Sequence, residues 1–227
     1  MTAASVSSTN DGSPFLRNLQ KIALLIVRIG LAYLFFTQLF WKFPPNFGCP
    51  ADYTFTTANA DGKLTRTTGL CDWIGVESVW AQRERLFFTA NTDNKGGPEV
   101  FLNLSVPAQI NGAFIDGFVK PNIRWFGWII WGSEAFIFVS LLFGFFTRLG
   151  GLVAIAISAQ LMIGLAGISS PYEWEWGYNN MVLLALIVFA FAPGRFVGID
   201  GFLYPRFKAL ADKGNIVGRI GLLLVGR

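Results

Sequence analysis

The chain has 227 residues, of which 53% are hydrophobic, none is histidine and two are cysteine. This apolar fraction is too high for a soluble domain of ordinary composition, and the lack of histidine removes the usual ligand of haem, copper and catalytic zinc. The net charge is only +4, and residues 43–122 carry eight acidic and six basic side chains, so no nucleic-acid partner is expected. We predict an integral membrane protein with no tightly bound metal cofactor.

Four apolar stretches along the chain predict four membrane-spanning helices. A span needs about 20 mainly apolar residues, and residues 22–41, 123–146 and 149–168 reach this length. Residues 177–192 are shorter, which leaves a re-entrant or surface helix open as an alternative for the fourth stretch. The predicted fold is all-α, a four-transmembrane-helix bundle with a long extracytoplasmic loop between helices 1 and 2.

The chain divides into five predicted segments. A polar tail with no cleavable signal peptide comes first, and two consecutive prolines stop the first span. Apolar residues at helical spacing predict an amphipathic helix near residues 107–119, before the second span. The segments are a tail at 1–16, transmembrane helix 1 at 17–42, a loop segment at 43–122, transmembrane helices 2–4 at 123–194 and a basic tail at 195–227.

The distribution of lysine and arginine predicts the orientation. Arg17 and Lys21 precede the first span, Arg148 separates the second from the third, and six basic residues follow the fourth. The connection at 169–178 contains neither lysine nor arginine. By the positive-inside rule, both termini are expected in the cytoplasm and the long loop outside the inner cell membrane.

Both cysteines, Cys49 and Cys71, lie in the predicted outer loop. In an oxidising compartment a structural disulfide would close a loop of about 22 residues and stabilise it by about 3 kcal/mol. The alternative is a redox-active pair that acts on sulfur compounds. The pair has neither Cys-x-x-Cys spacing nor a nearby base that would activate a thiol, so the structural disulfide is the favoured interpretation.

Two charged residues fall inside predicted spans, where each costs about 3 kcal/mol. Arg28 lies in the first span and Glu134 near the middle of the second. Because these spans run antiparallel, the two side chains are expected at similar depths. They form either a buried ion pair that holds the helices together or a polar pocket that binds a quinone carbonyl or moves a proton.

Several residues near the outer membrane surface are further candidates for a binding site. Lys42 either extends its ammonium to the interface or lines a polar groove with Gln38. Before the fourth span, two acids alternate with two indoles, which indicates an interfacial belt or the lip of a binding pocket; the candidates are Glu173, Trp174 and Trp176.

With these residues collected, the chain resembles the DoxX/DoxD family of small four-helix membrane proteins. The similarity covers the spans and the tail but not residues 43–106. The DoxD type is the membrane subunit of a thiosulfate:quinone oxidoreductase and works with a partner subunit, which implies quinone as a reactant here. The matching motifs are Arg28-Ile29-Gly30-Leu31 with Lys42, Glu134 with Thr147-Arg148, residues 171–179, and Gly194-Arg195 with Gly198-Ile199-Asp200.

Two functional hypotheses follow. The first is a quinone-linked subunit that oxidises a sulfur compound such as thiosulfate, with Arg28 and Glu134 as the catalytic pair. In this hypothesis Lys42, Gln38 and residues 173–176 form the binding site. The second is a non-catalytic accessory subunit of a larger respiratory or photosynthetic membrane complex. A transporter is the least favoured, because the chain has neither inverted repeats nor broken spans.

Overall fold

The computed structural model describes residues 13–81, 86–89, 100–165 and 175–226. Within these ranges, three helices are long and apolar enough to cross a membrane. They are α1 (Pro14–Gln38), α4 (Ile123–Phe143) and α5 (Thr147–Leu165). The chain is therefore a helical membrane protein.

A shorter helix, α6 (Glu175–Phe191), packs with these three into one bundle. Its 17 residues are fewer than the about 20 of a typical span, and it is not among the three helices long enough to cross a membrane. The helices contact each other in the cyclic order α1, α4, α5, α6. Their shared core consists of small and branched side chains around one phenylalanine: Leu31, Ala32, Phe35, Ile137, Leu141, Ala154, Ala185 and Val188.

Between α1 and α4 lies a folded insert, residues 39–122. It contains the hairpin β1 (Thr57–Ala58) and β2 (Leu64–Thr65), the helix α2 (Gly69–Ala81), the hairpin β3 (Leu86–Thr89) and β4 (Val100–Asn103), and the helix α3 (Ser105–Phe114). A π-helical turn, Ile115–Val119, continues α3, so helical structure covers the segment where the sequence predicts an amphipathic helix.

The insert has a core of its own, with the Cys49–Cys71 disulfide inside it. Phe47 packs directly on α4, where a Cβ atom at Gly127 would lie 2.5 Å from the phenyl ring. Helices α2 and α3 both contact α5. The insert is thus packed against one end of the bundle, which we call the disulfide side.

The opposite end of the bundle is held by the chain after α6. The Asp200 carboxylate accepts hydrogen bonds from the backbone N–H groups of Phe146 (2.7 Å) and Thr147 (2.8 Å) and from the Thr147 hydroxyl (2.5 Å). These bonds satisfy donors at the start of α5, which a helix cannot satisfy internally. The predicted basic tail then forms two helices that pack on each other, α7 (Asp200–Asp212) and α8 (Ile216–Val225).

Candidate functional site

A buried ion pair lies on the disulfide side of the bundle. Lys42 follows the end of α1, and its Nζ atom donates a hydrogen bond to Oε1 of Glu134 on α4. Both residues are almost inaccessible to solvent, with exposed fractions of 5% for Lys42 and 3% for Glu134. The second carboxylate oxygen, Oε2, accepts no hydrogen bond from any residue that the structure describes. This pair is the centre of the candidate site.

A second buried carboxyl group, that of Glu77 on α2, lies beside this pair. Gln160 of α5 donates to Glu77 Oε2 at 2.7 Å and Asn111 of α3 donates to the same atom at 3.2 Å. The two amides also contact each other, Gln160 Nε2 to Asn111 Oδ1 at 3.3 Å. Gly164 leaves room for the carboxylate, because a Cβ there would lie 2.5 Å from Glu77 Oε2. Three helices therefore build one polar network.

Electrostatic attraction links the network to the ion pair. The Glu77 charge acts on the Lys42 ammonium, and the charges of Glu77 and Glu134 both act on the hydroxyl of Tyr178 in α6. Buried acidic groups on α2 and α4 thus lie within electrostatic reach of the Lys42 ammonium group.

Aromatic rings cover the Lys42 side of the cluster. The Lys42 ammonium lies 4.5 Å from the centre of the Trp41 ring, within the range of a cation–π contact. The Trp41 indole donates to Gln38 Oε1 at 3.1 Å, and its ring lies 6.1 Å from that of Trp73 on α2. Gln38 therefore acts on Lys42 indirectly, through the indole that it orients.

The expected ion pair between Arg28 and Glu134 does not form. Arg28 Nη1 donates to the carbonyl oxygens of Val197 and Pro193, at the end of the bundle opposite the disulfide side. It lies level with Gly144, where a Cβ atom would come within 2.6 Å of it. Glu134 is ten residues earlier on α4, which at 1.5 Å per residue is about 15 Å away. The prediction was wrong because nearer carbonyl acceptors hold Arg28 and because Lys42 reaches Glu134 first.

Comparison with known proteins classifies the chain. Residues 103–224, more than half of the sequence, match the family described as TQO small subunit DoxD. The chain belongs to the DoxD family. No curated protein and no solved structure matches it. The DoxD match covers three residues of the site, Asn111, Glu134 and Gln160, while Lys42 and Glu77 precede it.

The remaining predicted site residues are distributed as follows. Glu173 and Trp174 lie outside the described residues, and the side chain of Trp176, at the start of α6, is likewise not described. Cys49 and Cys71 form a disulfide that is buried in the insert core, which favours the structural interpretation over an exposed redox pair. No group of three or more His, Cys, Asp or Glu in the described part of this DoxD chain is arranged to hold a metal ion.

Sequence reasoning missed Glu77 and did not single out Gln160 as a site residue. A signal for Glu77 was present, because it is the single charged residue in the apolar run 73–80. Such a run with one acid indicates a buried segment in which the acid needs a partner. What the sequence could not provide was the partner, since Gln160 lies 83 residues away.

Proposed function

We propose that this chain is the membrane subunit of a quinone-linked enzyme that oxidises a sulfur compound such as thiosulfate. Membership of the DoxD family supports the reaction class. The observation that carries the proposal is the buried cluster of Lys42, Glu134 and Glu77. Burying such charges costs several kcal/mol per ion, so the cluster is better explained by chemistry than by stability.

In the proposed reaction the cluster acts on the quinone. Reduction of one quinone to quinol consumes two electrons from the sulfur compound and two protons. Lys42 is placed to stabilise negative charge on the reduced quinone. Each of the two protons comes from water: Glu134, with Oε2 unpaired among the described residues, takes the proton up and passes it to Lys42, which releases it toward the quinone. Arg28 has no part in this chemistry and holds the far end of the bundle together.

The sulfur compound is assigned to a partner subunit. The disulfide is buried in the insert core, so the two cysteines are poorly placed to meet a soluble anion. We infer that a second subunit binds the sulfur compound and that the insert is where it docks. Electrons then pass from that subunit to the quinone beneath the insert.

The proposed topology has four membrane crossings. Helix α6 contacts α5 and α1, and its 17 residues reach the lower end of the length range of membrane-spanning helices. With four crossings both termini lie on the same side, which the basic residues of α7 and α8 assign to the cytoplasm. The insert then faces outward.

The test is extraction of the complex from native membranes in mild detergent, followed by an assay of thiosulfate-dependent quinone reduction. We expect Glu134→Gln to lower the rate about 100-fold, which is a typical loss for a general acid–base group. Asp200→Asn is the matched control, since it makes the same carboxyl-to-amide change at the opposite end of the bundle. Equal rates for wild type and Glu134→Gln would refute the proposed role.

A second candidate, an accessory subunit, is favoured by one observation. Large aromatic side chains near the disulfide side are exposed in the isolated chain, which suits a contact with another membrane protein: Phe40, Phe43, Trp125 and Trp128. If the chain copurifies at fixed ratio with a larger complex and that complex shows no sulfur-dependent quinone reduction, this function replaces the first.

A further inference from the structure

An apolar groove runs between α3 and α5, with a volume of about 540 Å³. This volume is within the usual range of small-molecule sites, about 300–1,000 Å³. Its walls consist of apolar side chains from both helices: Pro107, Ile110, Phe114, Ala156, Ala159 and Ile163. None of these residues is a predicted site residue.

The groove has a polar part, formed by Asn111 and Gln160. These are the two amides that hold the Glu77 carboxylate. Asn111 Nδ2 carries two hydrogens and, among the described residues, donates one hydrogen bond, to Glu77, which leaves one N–H for a ligand. The groove is therefore connected to the charge cluster through hydrogen bonds.

The position of the groove gives it access from the lipid. Its α5 residues lie nine to sixteen positions after Thr147, which is about 14–24 Å along the helix and within the half of the bundle nearer the disulfide side. On α3, Ile110 is 67% exposed and Phe114 is about half exposed. In the proposed topology α5 crosses the bilayer, so a molecule dissolved there can enter the groove sideways without crossing water.

The chemistry of the groove selects among lipid-soluble ligands. The polar side chains that line the groove are two neutral amides, Asn111 and Gln160, so the groove offers a phosphate no cationic partner. A neutral ring with a carbonyl oxygen matches an amide N–H donor, and an apolar tail matches the alanine and isoleucine walls. The groove therefore fits an uncharged, lipid-soluble carbonyl compound.

We propose that this groove is the quinone-binding site, with the apolar tail between α3 and α5 and a carbonyl oxygen hydrogen-bonded to Asn111. This inference rests on the proposed function and deepens it by naming the entry route and the residues that hold the ring. The bound carbonyl then lies next to the polar network of Glu77, and Glu77 passes each proton from the Lys42–Glu134 pair to the quinone.

The test is photolabelling of the purified complex with an azido-benzoquinone that has a decyl tail, followed by mapping of the labelled peptides. We expect the label on α3 and α5. Ala159→Trp, which fills the groove, should carry at least fivefold less label there. Leu152→Trp is the matched control, because Leu152 is exposed on α5 outside the groove. Ile163→Trp repeats the test if Ala159→Trp does not fold.

The assay separates the two proposals. In one outcome, α3 and α5 are labelled, Ala159→Trp removes the label, and the complex does not reduce the decyl quinone with thiosulfate. That outcome supports the groove and refutes the proposed reaction. Active reduction with label elsewhere, or label that neither tryptophan variant changes, refutes the groove and leaves the reaction standing. Asn111→Leu should raise the quinone KM at least fivefold without changing the KM for thiosulfate.

Discussion

The Lys42–Glu134 pair is the residue-scale feature that most needs an explanation. Each charge loses its hydration, and the attraction between them repays this only with good geometry and satisfied hydrogen bonds. Here one carboxylate oxygen has no hydrogen-bond partner in the described part of the chain. Burying the pair therefore costs free energy of folding, and removing only one of its two charges costs more.

A mutational comparison measures this cost. Lys42→Met leaves an uncompensated buried carboxylate and should lower the free energy of unfolding by about 3–5 kcal/mol. The double variant Lys42→Met/Glu134→Leu removes both charges and should recover at least half of that loss. Denaturation by sodium dodecyl sulfate in mixed micelles, followed by tryptophan fluorescence, measures both. A double variant that is less stable than Lys42→Met would contradict the interpretation.

Asp72, in the insert, gives a pH-dependent prediction. Burial by itself would raise the pKa of this carboxyl group, but hydrogen bonds from Arg66 and Thr56 outweigh it, and the pKa is lowered. A lowered folded-state pKa gives stability that is present above the unfolded-state pKa, near 3.9, and is lost as the pH falls through the folded-state value.

We therefore expect Asp72→Asn to destabilise the insert at pH 7 by about 1–2 kcal/mol, since a hydrogen bond to a charged group contributes on this order and Arg66 is partly exposed. The difference from wild type should shrink below about pH 4. Melting temperatures of both proteins between pH 3 and pH 7 check this. A difference that is constant over that range would show that the Asp72 charge does not stabilise the fold.

At the scale of elements, the start of the insert depends on a close approach of two backbone segments. A Cβ at Gly69 would lie 2.2 Å from the carbonyl carbon of Gly48, next to the disulfide. Gly69 also has a φ of +59°, which favours glycine. Gly62, in the β1–β2 turn, has a φ of +74° but no atom within 4 Å of its Cβ position.

These two glycines form a matched pair. Both alanine substitutions carry the left-handed backbone cost of about 1–2 kcal/mol, but only Gly69→Ala adds a backbone clash. We expect Gly62→Ala to retain the disulfide and Gly69→Ala to leave free thiols and melt at a clearly lower temperature. Thiol labelling of the denatured proteins measures the disulfide. Equal disulfide content and equal melting temperatures of the two variants would mean that neither the disulfide nor the stability of the insert depends on the close approach of Gly48 and Gly69.

The sequence predicts the long apolar helices well, because about 20 apolar residues have few other stable arrangements in a membrane protein. It does not predict α2, since the run Trp73–Trp80 is apolar on nearly all sides and too short to assign by periodicity. The sequence also predicts the wrong ion pair. When each span is considered alone, depth along the helix predicts Arg28 beside Glu134. In the structure, the turn after Gln38 brings Lys42 to Glu134, and no local sequence pattern encodes that turn.

On the scale of the whole molecule, the two ends of the bundle are built differently. The disulfide side is covered by the insert, under which the charge cluster and the groove lie. The opposite end is closed by Arg28, Asp200 and the helices α7 and α8, where the polar contacts satisfy helix ends and loop carbonyls. The buried charge cluster and the contacts that satisfy helix ends thus lie at opposite ends of the bundle.

The proposed topology can be tested with intact cells. A membrane-impermeant maleimide should label Asp61→Cys, in the turn between β1 and β2, but not Lys213→Cys, between α7 and α8. Both positions are exposed, so permeabilised cells should give label at both and serve as the control. Labelling of Lys213→Cys in intact cells would place α7 and α8 outside and refute the orientation.

The most direct test of the central claim is the rate of thiosulfate-dependent quinone reduction by Lys42→Met/Glu134→Leu in the intact complex, per amount of folded protein. This variant keeps the space filled while it removes both charges, so a change in rate reports chemistry and not unfolding. We predict a rate at least 100-fold below that of wild type. A rate within a few fold of wild type would contradict the assignment of the buried cluster as the working site.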